Sequence, residues 1–206
     1  MRLKELEMRL EKLEGFPHPS ARLEQYPTPA SLAARLLFDA FMRGDIEGKR
    51  VCDPGSGTGV LAIGAVLLGA EEAVGIEIDP DAVGVARKNA GLLGAEVTFI
   101  AADVKDPDLP GRIGPCDTVL MNPPFGAQNV HADRPFIDFA LRTGTVTYGI
   151  FNAGSRGFAQ AYIAGRGTIT DVIGGKFPIR RTFSFHKKER LEIEVEILRI
   201  VRADHD

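Results

Sequence analysis

Residues 51–60, Val-Cys-Asp-Pro-Gly-Ser-Gly-Thr-Gly-Val, constrain the fold more than any other part of the chain. Val51 and Cys52 end a short apolar run with the character of a buried strand, and an apolar stretch of helical length follows over residues 60–68. Between them, three alternating glycines let the backbone pass close to a ligand, and the start of the helix offers free N–H groups. A strand joined to a helix by so short a turn lays that helix across a sheet, which points to an α/β architecture. The pattern then recurs. Residues 73–78 form a strand that closes on Glu77 and Ile78, residues 97–101 form a strand followed by Asp103 and Val104, and the apolar run 118–121 ends at Asn122-Pro123-Pro124-Phe125. Asp53, Glu77, Asp103 and Asn122 thus stand at four successive strand ends. In a doubly wound sheet those ends together form the ligand crevice, and four polar residues in series there exceed what solvation alone would ask.

The remaining segments complete a seven-stranded sheet. Strands are expected over 146–151, 168–173 and 191–201, with helices over 1–14, from Thr28-Pro29 to about 41, from Asp79-Pro80 to about 91, after Arg134, and from Ser155 to about 164. Thr28 and Pro29 read as an N-cap and first helical residue, as do Asp79 and Pro80, and residues 107–115 read as a loop. Leu3, Leu6, Leu10 and Leu13 give the first helix an apolar face to dock on the domain, with partner binding as the alternative. The last strand alternates Glu192, Ile193, Glu194, Val195, Glu196, Ile197. A period of two leaves one face wet and suits an antiparallel strand that closes the otherwise parallel sheet. No repeat, low-complexity stretch or linker divides the 206 residues, so one domain is expected over 1–206, with helices to residue 45 ahead of a core over 46–206.

Composition narrows the partners. The net charge is -3, so any nucleic-acid contact needs a local basic patch. Residues 176–190 supply one, with Arg180, Arg181, His186, Lys187 and Lys188 mixed with Phe177, Phe183 and Phe185; a solvated hairpin with core aromatics is the plain alternative. The two cysteines, Cys52 and Cys116, sit singly in apolar runs and read as small buried thiols, with no zinc pattern and no metal site. No secretory segment is visible and no apolar run approaches the ~18 residues of a membrane span, so a soluble, cytoplasmic protein without membrane contact is expected.

The chemistry centres on Asn122-Pro123-Pro124-Phe125. The prolines fix the backbone as it leaves the strand. The Asn122 amide oxygen and the Pro123 carbonyl can each accept one N–H of a planar amino group, while Phe125 can stack on its ring; a Pro-rich turn with a capping Asn and a core Phe is the alternative. The glycine loop fits two patterns. Gly57-x-Gly59-x-x-Ala62 matches the loose dinucleotide fingerprint, whereas Asp53-x-Gly55-x-Gly57-x-Gly59 matches the loop of S-adenosylmethionine methyltransferases. Asp53 favours the second, because it would repel a pyrophosphate and welcome a cationic amino-acid ligand. Glu77, 18 residues beyond Gly59, is suited to ribose hydroxyls, or else to solvent. Asp103 is suited to the adenine amino group, with Val104 covering the ring.

Taken together, the glycine loop, the acidic strand end, Asp103-Val104 and the Asn-Pro-Pro-Phe corner resemble a class I S-adenosylmethionine-dependent methyltransferase acting on an exocyclic nitrogen. Glu24-Gln25-Tyr26-Pro27-Thr28, residues 53–59, Asn122 to Gly126 and Phe185-His186-Lys187-Lys188 resemble the methyltransferase-like-five family of small-subunit ribosomal RNA adenine methyltransferases, here as an archaeal-type member. The resemblance implies S-adenosyl-L-methionine as cofactor, with contacts drawn from Gln25, Tyr26, Thr28, Asp53, Gly55, Ser56, Gly57, Thr58, Val60, Glu77, Ile78, Asp103 and Val104. It implies catalysis at Asn122, Pro123, Pro124 and Phe125, ribosomal RNA as substrate, and a small zinc-binding activator subunit such as eukaryotic members use. Pro54, Ser56 and Thr58 depart from the eukaryotic glycine loop, Glu77 stands where Asp is common, and residues 126–134 diverge. That divergent segment reads as a substrate-side loop, in which His131 is weighed as a catalytic base and set aside. Methylation of guanine N2 or of a protein glutamine amide uses the same logic, although the glutamine enzymes usually carry Tyr after the prolines. A cofactor-binding RNA scaffold without turnover also stands, while a hydride-transfer enzyme would have no use for the Asn-Pro-Pro-Phe corner.

Overall fold

The computed structural model describes residues 1–126, 131–180 and 190–203. Its seven strands are β1 (Arg50–Pro54), β2 (Glu72–Glu77), β3 (Thr98–Ala101), β4 (Cys116–Met121), β5 (Gly144–Asn152), β6 (Gly167–Arg180) and β7 (Arg190–Arg202). They lie in the order β3-β2-β1-β4-β5-β7-β6. The first five run parallel, and β7 runs antiparallel to both β5 and β6. This is the expected doubly wound α/β sheet with an antiparallel last strand. One detail differs: β7 does not close the sheet at an edge but inserts between β5 and β6. It has a wet face as its period predicts, since Glu192 and Glu194 are exposed while Val195 and Ile197 are buried.

The chain moves from β1 outward to β3, then crosses back to lay β4 on the other side of β1. The strand order therefore reverses between β1 and β4, and a crevice opens at such a reversal. Helices cover both faces. α1 (Leu3–Leu10), α2 (Ala30–Met42) and α3 (Val60–Leu67) pack as one layer, with Leu6, Leu10, Leu36 and Leu37 buried among Leu61, Leu120 and Tyr148. α4 (Pro80–Leu93) packs Val83, Ala86 and Ala90 against Phe99 and Ile63. α5 (Leu109–Ile113), α6 (Arg134–Thr143) and α7 (Arg156–Tyr162) cover the opposite face, where Ile137, Phe139 and Ala159 meet Val119, Met121 and Leu198. The leucine-rich first helix is thus docked, as its spacing predicts. Among the described residues, no helix is long and apolar enough to cross a membrane.

Several local expectations are corrected. Residues 107–115 contain a short helix, α5, which Pro110 and Gly111 disguise as a loop. Asp79 does cap α4, accepting from the Asp81 N–H at 3.0 Å, but Ser155 makes no such bond to α7. Thr28 is not the cap of α2: Pro29 holds that position and the Thr28 hydroxyl turns elsewhere. β6 continues seven residues beyond 173, carrying Phe177 into full burial instead of leaving it among solvated basic residues. Cys52 and Cys116 are buried free thiols, as expected.

A polar cluster that sequence reading did not flag stitches four elements together. Asp45, in the turn after α2, accepts from the Tyr148 hydroxyl of β5 at 2.6 Å and from Arg199 Nε of β7 at 3.0 Å. Its carbonyl accepts from Thr118 of β4 at 2.6 Å.

Candidate functional site

The carboxyl ends of β1, β2, β3 and β4 open onto one cavity of about 550 Å³. Its walls include every residue proposed from sequence for the cofactor and for catalysis, from Gln25, Tyr26 and Thr28 through Phe125. Arg180 is placed by its backbone alone at the end of β6, and Arg181, His186, Lys187 and Lys188 lie outside the described residues.

The glycine loop forms the floor. Gly55 and Gly57 adopt φ values of 73° and 53°, which side chains other than glycine rarely tolerate. Crowding enforces the same choice: a Cβ on Gly55 would meet Phe136 at 2.6 Å, and one on Gly57 would meet Phe16 at 2.8 Å. Phe16 and Phe136 are walls that sequence reading missed, and each comes from a distant segment. The Gly55 and Ser56 N–H groups donate to the Ile76 carbonyl at 2.7 and 2.9 Å, tying the loop to β2. The Ser56 hydroxyl is buried with no hydrogen-bond partner among the described residues. Asn89 of α4 braces the loop from behind, donating to the carbonyls of Thr58 at 2.9 Å and Glu14 at 3.0 Å.

Two carboxylates line the floor. Asp53 is 1% exposed, and its Oδ2 accepts from the Ala62 N–H at 3.1 Å. Burial pushes its pKa up to about 8; the Ala62 bond opposes this and nearby Glu77 adds to it. The carboxyl therefore keeps its proton at neutral pH until a positive group enters. Glu77 is buried, not a solvated strand end. Its two oxygens are aimed by backbone donors, Gly57 N–H at 2.9 Å and Asp79 N–H at 3.0 Å. Burial raises its pKa, and those two N–H bonds hold it back. Each oxygen retains a lone pair for a further donor. Ile78 leaves its side chain 48% exposed on the same wall, with Val104 half-buried nearby. Asp103 is exposed, and its Oδ1 accepts from the Lys105 N–H at 2.9 Å.

The segment Glu24-Gln25-Tyr26-Pro27-Thr28 forms the roof, and its polar groups act as clamps. The Gln25 amide is spent within the protein. Its oxygen accepts from Ser20 N–H at 2.7 Å and its nitrogen donates to Asp79 Oδ2 at 2.7 Å, joining the roof to the end of β2. Glu24 accepts from the Gly126 N–H at 3.1 Å. Asn122 Nδ2 donates to the Thr28 hydroxyl at 3.0 Å. Roof and catalytic corner are thus bonded at both ends of the Asn122-to-Gly126 turn.

That last bond decides what the corner can do. With its nitrogen committed to Thr28, Asn122 presents its oxygen as a sheltered acceptor that has no donor among the described residues. A buried acceptor left unpaired costs about 1–3 kcal/mol, so the arrangement favours a ligand that brings an N–H. Pro123, buried, follows in the rigid turn, and Phe125 is held edge-on against Phe177 with ring centroids 5.4 Å apart at 86°. The site offers hydrogen-bond acceptors at the corner, a neutralised carboxyl and an aimed carboxylate on the floor, and apolar walls between. This set fits a cationic amino acid joined to a nucleoside: Asp53 for the positive end, Glu77 for the ribose hydroxyls, Ile78 and Val104 for the base.

The comparisons agree with that chemistry. The sequence model of the ribosomal protein L11 methyltransferase (PrmA) family matches residues 34–122, the part that builds the floor. An uncharacterised protein of Methanocaldococcus jannaschii is 42% identical over 96% of this chain and 93% of its own. The rRNA N(6)-adenosine-methyltransferase Mettl5 of Drosophila melanogaster is 36% identical over 97% of this chain and 96% of its own. Among solved structures, a candidate RNA methyltransferase from Pyrococcus horikoshii superposes with a TM-score of 0.90 at 40% identity, covering 99% of both chains. Sheet order, glycine floor and a cavity at the strand reversal define a class I methyltransferase. Within that class the chain belongs to the family of the Mettl5 rRNA N(6)-adenosine-methyltransferases, which it matches over nearly its whole length.

Proposed function

We propose that this chain methylates the exocyclic N6 of an adenosine in small-subunit ribosomal RNA. When bound in the cavity, S-adenosyl-L-methionine supplies the electrophilic methyl group. The cofactor-side roles go to Asp53, Ser56 and Glu77 with the backbone of Gly55, Gly57, Thr58 and Val60, to Ile78, Asp103 and Val104 around the base, and to Tyr26 in the roof. Gln25 and Thr28 act by positioning, because their side chains are bonded to Asp79 and Asn122.

One observation carries the reading: the Asn122 amide oxygen, fixed by Thr28 and lacking a donor. An adenine amino group is a weak nucleophile because its lone pair is delocalised into the ring. If the base is turned out of its stack into the cavity, Asn122 Oδ1 and the Pro123 carbonyl each accept one N–H. Both acceptors then lie to one side of the nitrogen, which draws it toward tetrahedral geometry and frees the lone pair on the other side. Phe125 stacks on the base, and its edge contact with Phe177 holds it in place. Orientation and fixed dipoles do the work. No strong base is required, since the proton leaves after the new bond has formed.

The test is methyl transfer from labelled cofactor to small-subunit ribosomal RNA, with a protein release factor as the competing substrate, followed by nucleoside analysis. Label in N6-methyladenosine is expected, and Asn122→Ala should retain cofactor binding while losing roughly 100-fold or more in turnover. Label in guanine or in protein would overturn the substrate. Normal turnover in the variant would remove Asn122 from the mechanism. A small zinc-binding activator subunit, which the family resemblance implies, belongs to the same proposal: transfer should increase when it is added and be unchanged by it if the chain works alone.

A further inference from the structure

Beside the mouth of the cavity, three rings line up outside the catalytic corner. His131, whose imidazole lies on the cavity wall, stacks on Phe158 of α7 with centroids 6.4 Å apart and planes inclined at 17°. Phe158 in turn stacks on Tyr162 at 5.7 Å and 24°. The guanidinium of Arg134, at the start of α6, lies 5.6 Å from the Phe158 ring and 5.2 Å from that of Tyr162. Phe158 is 36% exposed, the only exposed Phe or Tyr among the described residues. The charges differ in a telling way. Arg166, 5.1 Å from the other flank of Tyr162, is neutralised by Asp138 at 2.7 Å, and Asp138 also accepts from the Tyr162 hydroxyl at 2.9 Å. Arg134 has no ion-pair partner among the described residues, and its Nε is buried without a hydrogen bond. Arg156, one turn before Phe158 is reached, is fully accessible.

A cluster that served only to glue α7 to α6 would bury its central ring and pair its cations. This one leaves the central ring uncovered and one cation uncompensated, next to the opening through which a flipped base must enter. We propose that His131, Phe158 and Tyr162 form a stacking platform for the nucleotide flanking the target adenosine in single-stranded RNA, with Arg134 supplying the charge for its phosphate. The platform rests on the reading of the substrate as RNA. It accounts for how a protein of net charge -3 engages a polyanion outside its basic 176–190 segment. Stacking tolerates any base, since every base has a π face, so the platform positions the strand without reading its sequence.

The experiment is fluorescence anisotropy with a labelled single-stranded 12-mer of adenosine, on the full-length chain, across a salt series. Phe158→Ala should weaken binding about tenfold, the effect of losing one base stack, while Phe158→Trp should bind as tightly as wild type. Arg134→Gln should lower the slope of log affinity against log salt by about one, as expected for one lost phosphate contact. Cofactor affinity should not change in any of the three. Unchanged RNA affinity in Phe158→Ala overturns the platform even if the wild type methylates adenosine, and so does a wild type that does not bind the oligomer. If Phe158→Ala loses RNA affinity while the methylation assay finds label only in protein, the platform stands and the assigned substrate falls.

Discussion

Asp53 makes the unliganded protein pH-sensitive in a direction opposite to most acidic residues. Its carboxyl has a pKa of about 8 in the folded chain against 3.8 when free. The folded state therefore holds a proton that the unfolded chain has already released, and stability falls as pH rises from about 4 through 8, then levels off. Between pH 6 and pH 9 about two units of this window are crossed. At 1.36 kcal/mol per unit the loss is about 2.5 kcal/mol. For a chain of this size that corresponds to roughly 5–10 °C in Tm. Asp53→Asn preserves the shape and the acceptor for the Ala62 N–H but cannot ionise. In differential scanning calorimetry of the cofactor-free protein, the Tm of Asp53→Asn relative to wild type should rise by that amount between pH 6 and pH 9. Other titrating groups, Glu77 included, contribute to both proteins and largely cancel in the difference. Two melting curves that decline in parallel across this interval would refute the argument that Asp53 is protonated in the empty cavity.

Two further perturbations test the scaffold around the site. Asp45→Ala leaves Arg199 and the Tyr148 hydroxyl without their shared acceptor in a largely buried cluster; urea unfolding should show a loss of about 3 kcal/mol, and a loss below about 1 kcal/mol would mean that the cluster is solvated. Gln25→Ala cuts the roof from Ser20 and Asp79; titration calorimetry should show cofactor affinity falling roughly tenfold with a stability change of only about 1–2 kcal/mol, whereas unchanged affinity would mean that Glu24 and Thr28 hold the roof unaided.

The sequence made the strand ends legible because each is a local event: an apolar run, then a polar residue, then a helix start. Asp53, Glu77, Asp103 and Asn122 could be lined up from such local breaks, and parallel strands then carry them to one crevice. What escaped was non-local. Thr28-Pro29 has the local form of a helix cap, but the Thr28 hydroxyl is taken by an amide 94 residues away, and nothing near Thr28 announces it. Phe16 and Phe136 gained meaning only once folding placed them over Gly57 and Gly55. Phe177 was grouped with its basic neighbours, whereas strand pairing with Ile193 turns it inward. Asn89 did leave a trace: it is a lone amide on the face of α4 shared by Ala82, Val83, Val85, Ala86 and Ala90. A polar group on an apolar stripe must find partners, and here they are the glycine loop and the end of the leucine-rich segment.

The placement of β7 sets the timetable of folding. The ribosome extrudes β5 and β6 before the strand that must separate them. Until residues 190–202 emerge, β5 has an unpaired edge with strand-forming groups open to any neighbouring chain. The gap they leave is also a gap in both cores, since Ile197 belongs to one face and Leu198 and Ile200 to the other. The sheet is therefore finished by a central insertion made after synthesis of nearly the whole chain, so a nascent chain stalled short of β7 would carry its glycine floor and Asn122 corner on an open, aggregation-prone half-sheet.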